Sequence, residues 1–206
     1  MTLTKQLGQS AMELTAFFAF AFIASVTPGP SNVLLTTVGA RMGILRGMPA
    51  LLGTAVGTGL VLFIVGFGLG SILLENDMAL SVLRTVGMGA ILWLSWMIAT
   101  APVTDSSKQD TTQALGFLPA FLLQWLNPKA WIVSVSIVGA FMAAEGSVFV
   151  QASTLSAVFI SAAILGCFPW LASGAALRRL LQNPTIARLF NYALGLSLAA
   201  SMITII

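Results

Sequence analysis

The sequence contains no histidine, one cysteine (Cys167), one tyrosine, and only nine basic and six acidic side chains in 206 residues. Without histidine and with a lone cysteine, a zinc or other transition-metal site has almost no ligands to draw on. The same shortage excludes a disulfide framework and an intramembrane dithiol relay. Charged residues make up 7% of the chain, against about 25% in an ordinary soluble domain, too few to cover a water-facing surface. The pI of 9.6 reflects a small excess of scattered basic residues, not a basic patch, so nucleic acid is not an expected partner. What the chain has is apolar mass: 58% hydrophobic residues and a mean hydropathy of +0.99. Disorder needs the opposite composition. A polytopic membrane protein remains, with the lipid bilayer as its first partner.

A helix needs about 20 apolar residues to cross the hydrocarbon core. Charges and turn residues divide the chain into six such runs, at about 14–38, 48–74, 80–101, 114–144, 148–177 and 186–206. Four crossings is the competing count, if the proline-broken runs are re-entrant. Lys5 ahead of Ala19-Phe20-Ala21 has the outline of a cleavable leader, but the run continues to Val38, too long for such a segment. The loops after the first, third and fifth runs hold Arg41, Arg46, Lys108, Arg178, Arg179 and Arg188, whereas the other side holds Lys5 and Arg84. This bias predicts that both termini face away from the cytoplasm.

The most hydrophilic stretch, 102–113, carries Asp105, Lys108 and Asp110 and divides the runs into two sets of three. The reading is one transmembrane domain, 1–206, made of repeats at about 12–101 and 114–206. Because three is odd, the second repeat is expected to sit upside down relative to the first. Each opens with an interrupted helix: Thr27-Pro28-Gly29-Pro30-Ser31-Asn32 in the first and Leu126-Asn127-Pro128-Lys129 in the second. Proline removes a backbone donor and clashes with the preceding turn. The polar groups so freed are tolerated in a bilayer only against a cavity or a protein partner. Matched interruptions in two halves point to a transporter's binding site. A packing kink is the plainer reading of one such proline; two interruptions in register, each with an asparagine, favour the site.

Lys129 lies within the fourth apolar run, where a central lysine costs about 2.5–3.5 kcal/mol on insertion scales. Snorkelling from a helix end that Asn127-Pro128 creates is the structural alternative. No acidic side chain lies at comparable depth, so the ammonium is expected to lack a built-in counter-ion and to suit a carboxylate on a substrate. Helix N-termini at the breaks favour the same group. Asn32 and Asn127 can each donate and accept, which suits a zwitterion. The candidate substrate-binding set is therefore Pro28, Gly29, Pro30, Ser31, Asn32, Gln124, Asn127, Pro128 and Lys129, with Thr27 a weaker member. Gly53, Gly57 and Ala50 give the second run a small-residue face, continued by Gly66, Gly68 and Gly70, that reads as helix packing. Cys167 reads as a small buried apolar residue.

These motifs resemble the LysE/RhtB family of bacterial amino-acid exporters. The resemblance runs through Pro28-Gly29-Pro30 with Asn32, Gly43, Gly47, Gly53 and Gly57. It continues in Leu83-Arg84, Gly87, Trp93-Leu94, Gln124-Trp125-Leu126-Asn127-Pro128-Lys129-Ala130, and Arg188-Leu189-Phe190-Asn191 with Gly195. Trp93-Leu94-Ser95-Trp96 and Leu123-Gln124 are most similar to the cysteine/O-acetylserine branch. Ala90, where many members carry an aromatic, and Ser95, in place of a frequent glycine, depart from the pattern. The resemblance implies an all-α membrane protein of six transmembrane helices, as two inverted three-helix repeats with broken first and fourth helices. It implies a bacterial inner-membrane secondary exporter of small amino acids, not an enzyme, working without a cofactor. Neutral or thiol-related substrates such as cysteine, O-acetylserine, threonine or homoserine are expected, with a homo-oligomer left open. A non-transporting assembly factor and a metal-ion transporter are the alternatives. The first gives no reason for paired breaks and a buried lysine, and the second wants intramembrane acids or histidine.

Overall fold

The structure, a computed structural model, describes residues 3–69, 76–100 and 116–200. The connector at 102–113, Glu75, Gly70 and the end of the last apolar run lie outside the described residues, as do the side chains of Lys5 and Arg84. Every regular element among the described residues is helical: α1 (Leu3–Val26), α2 (Pro30–Ile64), α3 (Asp77–Ala99), α4 (Phe117–Leu126), α5 (Pro128–Phe141), α6 (Val148–Leu177) and α7 (Pro184–Ala200). A π-helical stretch, Val65–Leu69, extends α2, and a 3-10 turn, Leu180–Gln182, precedes α7.

Three helices open on proline, at Pro30, Pro128 and Pro184, the position where its fixed φ suits a helix and its missing N–H is not needed. Asparagine caps two of them. Asn127 Oδ1 accepts from Lys129 N at 3.1 Å, and Asn183 Oδ1 accepts from Thr185 N at 2.9 Å. The breaks are narrower than the sequence reading had them. The first is confined to Thr27–Gly29, so Ser31 and Asn32 belong to the first turn of α2; the second is Asn127 alone, across which α4 and α5 bend by 68°.

Continuous helix runs through α2, but not in a straight line. Gly43 has φ 77° and ψ −179°, outside the helical region and accessible to glycine without a Cβ penalty. A methyl group on Gly47 would sit 3.0 Å from Val38 Cγ1, although nine residues of straight helix rise about 13 Å. The chain therefore turns back at Gly43. The sequence reading ended its first apolar run at Val38 and began the next at Met48; the helical limbs instead meet at this single glycine. Among the described residues, two stretches are long and apolar enough to cross a membrane by length and composition alone, Pro30–Gly68 (which contains the turn at Gly43) and Val148–Leu177, or three with the bent pair α4–α5 taken together.

Backbone-to-backbone crossings hold these elements. A Cβ on Gly39 would collide with Leu171 O, and one on Gly174 with Thr36 O, so the first limb of α2 and α6 meet through reciprocal glycines. The second limb crosses α4 likewise: a Cβ on Gly57 would lie 2.8 Å from Phe121 O. Gly166 of α6 approaches Phe22 O of α1, and Gly195 of α7 approaches Ser95 O of α3. Such faces let membrane helices pack by close contact where water gives no hydrophobic drive. Phe17, Leu62, Ile137 and Phe159 form one buried cluster, and Leu35, Val38, Leu51 and Leu171 another.

Large apolar side chains face outward while amides face inward. Leu45, Trp96, Leu189 and Leu196 are exposed, whereas Asn32, Gln124 and Asn127 are buried. Combined with the composition, this makes the chain a multi-pass membrane protein. Gly174→Val should destabilise it by about 1–3 kcal/mol or more, because the Thr36 backbone cannot move aside. Loss of a monodisperse peak in detergent on mild heating is the readout, and an unshifted melting temperature would contradict the crossing.

A cavity between two broken helices

The C-terminal end of α1 presents carbonyls that no further helical turn can satisfy, and side chains from other elements meet them. Asn32 Nδ2 donates to Ser25 O at 2.9 Å and Thr27 O at 2.8 Å, with Val26 O at 3.5 Å. Trp170 Nε1 donates to Val26 O at 3.0 Å, and the Cys167 thiol approaches Ser25 O at 3.6 Å.

Lys129 completes this set. Its Nζ donates to Thr27 O at 2.7 Å and Pro28 O at 3.4 Å. The expectation of an ammonium without a built-in partner is thus corrected: its partners are main-chain oxygens of the opposite half, at the negative end of α1's dipole. Gly29 makes room for this, since a Cβ there would stand 3.2 Å from Lys129 Cδ and 3.3 Å from Nζ. Gly29 itself is extended, so a side chain there would meet the Lys129 side chain, with no penalty from φ.

A second polar group lies beside it. Gln124 Oε1 accepts from Ser31 Oγ at 2.9 Å and Thr58 Oγ1 at 3.2 Å, while Gln124 Nε2 is held by Ala120 O at 3.0 Å. Asn127 Nδ2 reaches Ser31 Oγ at 3.3 Å. This network ties α2 to the α4–α5 junction, joining residues about a hundred positions apart in sequence.

Both breaks open on one cavity, which takes in about 450 Å³ including its mouth. Of the nine expected site residues, Gly29, Pro30, Ser31, Asn32, Gln124, Asn127 and Lys129 line it. Pro28 does not, though its carbonyl touches the ammonium. Pro128 is buried instead against α3, where a Cβ on Gly87 would meet its ring at 3.1 Å. Ser25, Thr54, Thr58, Val133, Phe159, Ala163 and Cys167 line the cavity as well. Sequence reading missed Thr54 and Thr58, although the Gly53 and Gly57 face that brings them against α4 was visible. Among the described residues, no group of three or more His, Cys, Asp or Glu side chains comes together.

The family described as LysE type translocator matches residues 22–203. A cysteine/O-acetylserine efflux protein of Salmonella choleraesuis (strain SC-B67) is 29% identical over 191 residues, covering 91% of this chain and 94% of its own length. The protein of the same name from Escherichia coli O1:K1 / APEC is 26% identical over 185 residues, covering 90% and 93%. The one from Escherichia coli O157:H7 is 27% identical over 188 residues, covering 90% and 93%. No solved structure matches the chain.

Proposed function

Given that the chain belongs to the LysE family of translocators, we propose that it exports small neutral or thiol-related amino acids from the cytoplasm by alternating access. The observation that carries the reading is Lys129 in a cavity walled by both helix breaks. The efflux proteins for cysteine and O-acetylserine, similar over about nine-tenths of the chain, point the same way.

In this mechanism the substrate carboxylate pairs with the Lys129 ammonium and competes with the carbonyls of Thr27 and Pro28 for its N–H groups. The N-terminal turns of α2 and α5 add favourable dipoles at the same place. Asn127 and Ser31 assist. The remaining wall, with Val133, Phe159, Ala163 and Cys167, is uncharged and suits a small neutral side chain.

Six crossings follow if α1 with the first limb of α2 makes one, the second limb another, and α3, α4 with α5, α6 and α7 the rest. Two inverted halves would exchange partners, and the contacts support this. The first broken helix packs on α6 of the second half, the second broken helix packs on the second limb of α2, and α3 pairs with α7. Substrate binding under Lys129 would loosen the link between halves and so couple occupancy to rocking. The bias of basic residues toward the loops after the first, third and fifth runs supports termini outside the cytoplasm, and a bacterial inner membrane is the setting of this reading.

Counterflow in proteoliposomes tests the reading, with L-cysteine under reducing conditions and O-acetyl-L-serine as probes. Saturable exchange of at least one of the twenty amino acids or O-acetyl-L-serine is expected, and none with any of them would overturn it. Gly29→Ala should weaken substrate affinity about 3- to 10-fold by displacing the ammonium. Its melting temperature should stay near that of the wild type. Unchanged affinity would show that the ammonium's position does not matter.

A further inference from the structure

The cavity wall carries two polar groups that the structure leaves without partners. Asn32 Oδ1 and Thr54 Oγ1 are buried and make no hydrogen bond, and both residues are 2% exposed and line the cavity. Buried polar atoms normally find a partner, and an orphan costs about 1–3 kcal/mol.

The orientation of Asn32 is fixed by its neighbours. Its Nδ2 faces three carbonyls of α1, so the amide oxygen is the atom left over. Thr54 is unusual among the helical threonines around it. Thr36 and Thr37 each donate to the carbonyl four residues earlier, and Thr58 has both Thr54 O and Gln124 Oε1 as acceptors for its one proton, whereas the Thr54 hydroxyl has no partner. The other polar side chains of the cavity are engaged: Ser31, Gln124 and Asn127 with one another, and Lys129 with α1.

An amide oxygen can only accept, and a hydroxyl can accept while turning its proton elsewhere. The Asn32 oxygen therefore calls for a donor, and the Thr54 hydroxyl can accept from the same one. We propose that Asn32 Oδ1 and Thr54 Oγ1 form the site for the substrate's primary α-ammonium. This inference rests on the export reading and deepens it. The zwitterion is then read by separate groups: its acid by Lys129 and its amine by a pair on the two limbs of α2. Both limbs are joined at Gly43, so amine binding bridges the first and second helices of one half. N-acylated and des-amino acids present no ammonium and should be poor ligands.

The test compares wild type and Thr54→Val in proteoliposomes, using L-cysteine and 3-mercaptopropionate, which is cysteine without its amine. Valine keeps the shape and removes an unpaired hydroxyl, so the variant's melting temperature should equal or exceed that of the wild type. The expected result is a half-saturation for L-cysteine raised about 10-fold, with inhibition by 3-mercaptopropionate unchanged. An unshifted L-cysteine value in a wild-type background that shows counterflow overturns this inference alone. Equal weakening toward both probes, or a lowered melting temperature accompanying the loss, overturns it too, because Thr54 would then be structural. Wild-type protein that exchanges no amino acid removes the export reading, and this inference with it.

Discussion

Lys129→Met is expected to reduce amino-acid counterflow about 100-fold while leaving the protein as thermally stable as the wild type, or more so. The two halves of this result come from different terms. Removing one member of a desolvated charge pair costs about 2–5 kcal/mol in binding, and about 2.7 kcal/mol corresponds to 100-fold. Stability is spared because Thr27 O keeps its bond from Asn32 Nδ2 at 2.8 Å when the ammonium leaves. Methionine also relieves the cost of holding a cation within an apolar helix. A purely structural lysine predicts the reverse: a lower melting temperature with transport following the amount of folded protein. Measuring both on the same purified samples separates the readings.

Asn32→Leu is expected to fail in the other way, losing transport and stability together. Asn32 is buried, and its Nδ2 serves Ser25 O and Thr27 O at 2.9 and 2.8 Å. Leucine cannot donate, and Ser25 O would be left with only the weak thiol contact of Cys167. Thr27 O keeps its bond from Lys129 Nζ and Val26 O its bond from Trp170 Nε1, so one orphaned carbonyl sets the expected loss at about 1–3 kcal/mol. The melting temperature in detergent, recorded beside counterflow, checks this. An Asn32→Leu protein as stable as the wild type would mean that α1's carbonyls find other donors.

How far the site was legible in the sequence follows from where its chemistry is local. Proline acts on its own turn, so Pro28, Pro30 and Pro128 announced both breaks, and Asn127 and Lys129 were recognisable from their neighbours in an apolar run. Seven of the nine residues so identified line the cavity. Thr54, Phe159, Ala163 and Cys167 were not recognisable as cavity residues, because each lies on a regular helix and reaches the cavity only through helix crossings. The partners of Lys129 were invisible for a deeper reason: they are main-chain oxygens, which have no sequence signature. The turn-back at Gly43 was hidden too, since Ala40 to Gly47 has no proline and its arginines read simply as a loop. Apolar runs located membrane-length segments, but residue patterning alone did not show that α1 begins as early as Leu3.

The account stands or falls on whether the Lys129 ammonium holds the substrate's acid. Equilibrium binding of L-cysteine and of L-cysteinamide, which keeps the amine and thiol but lacks the carboxylate, measures that contact in wild type and Lys129→Met. The wild type should prefer the acid by about 100-fold, and the variant should bind acid and amide within about 3-fold of each other. A variant that still prefers the acid as strongly as the wild type would contradict the account, since the carboxylate would then be bound elsewhere.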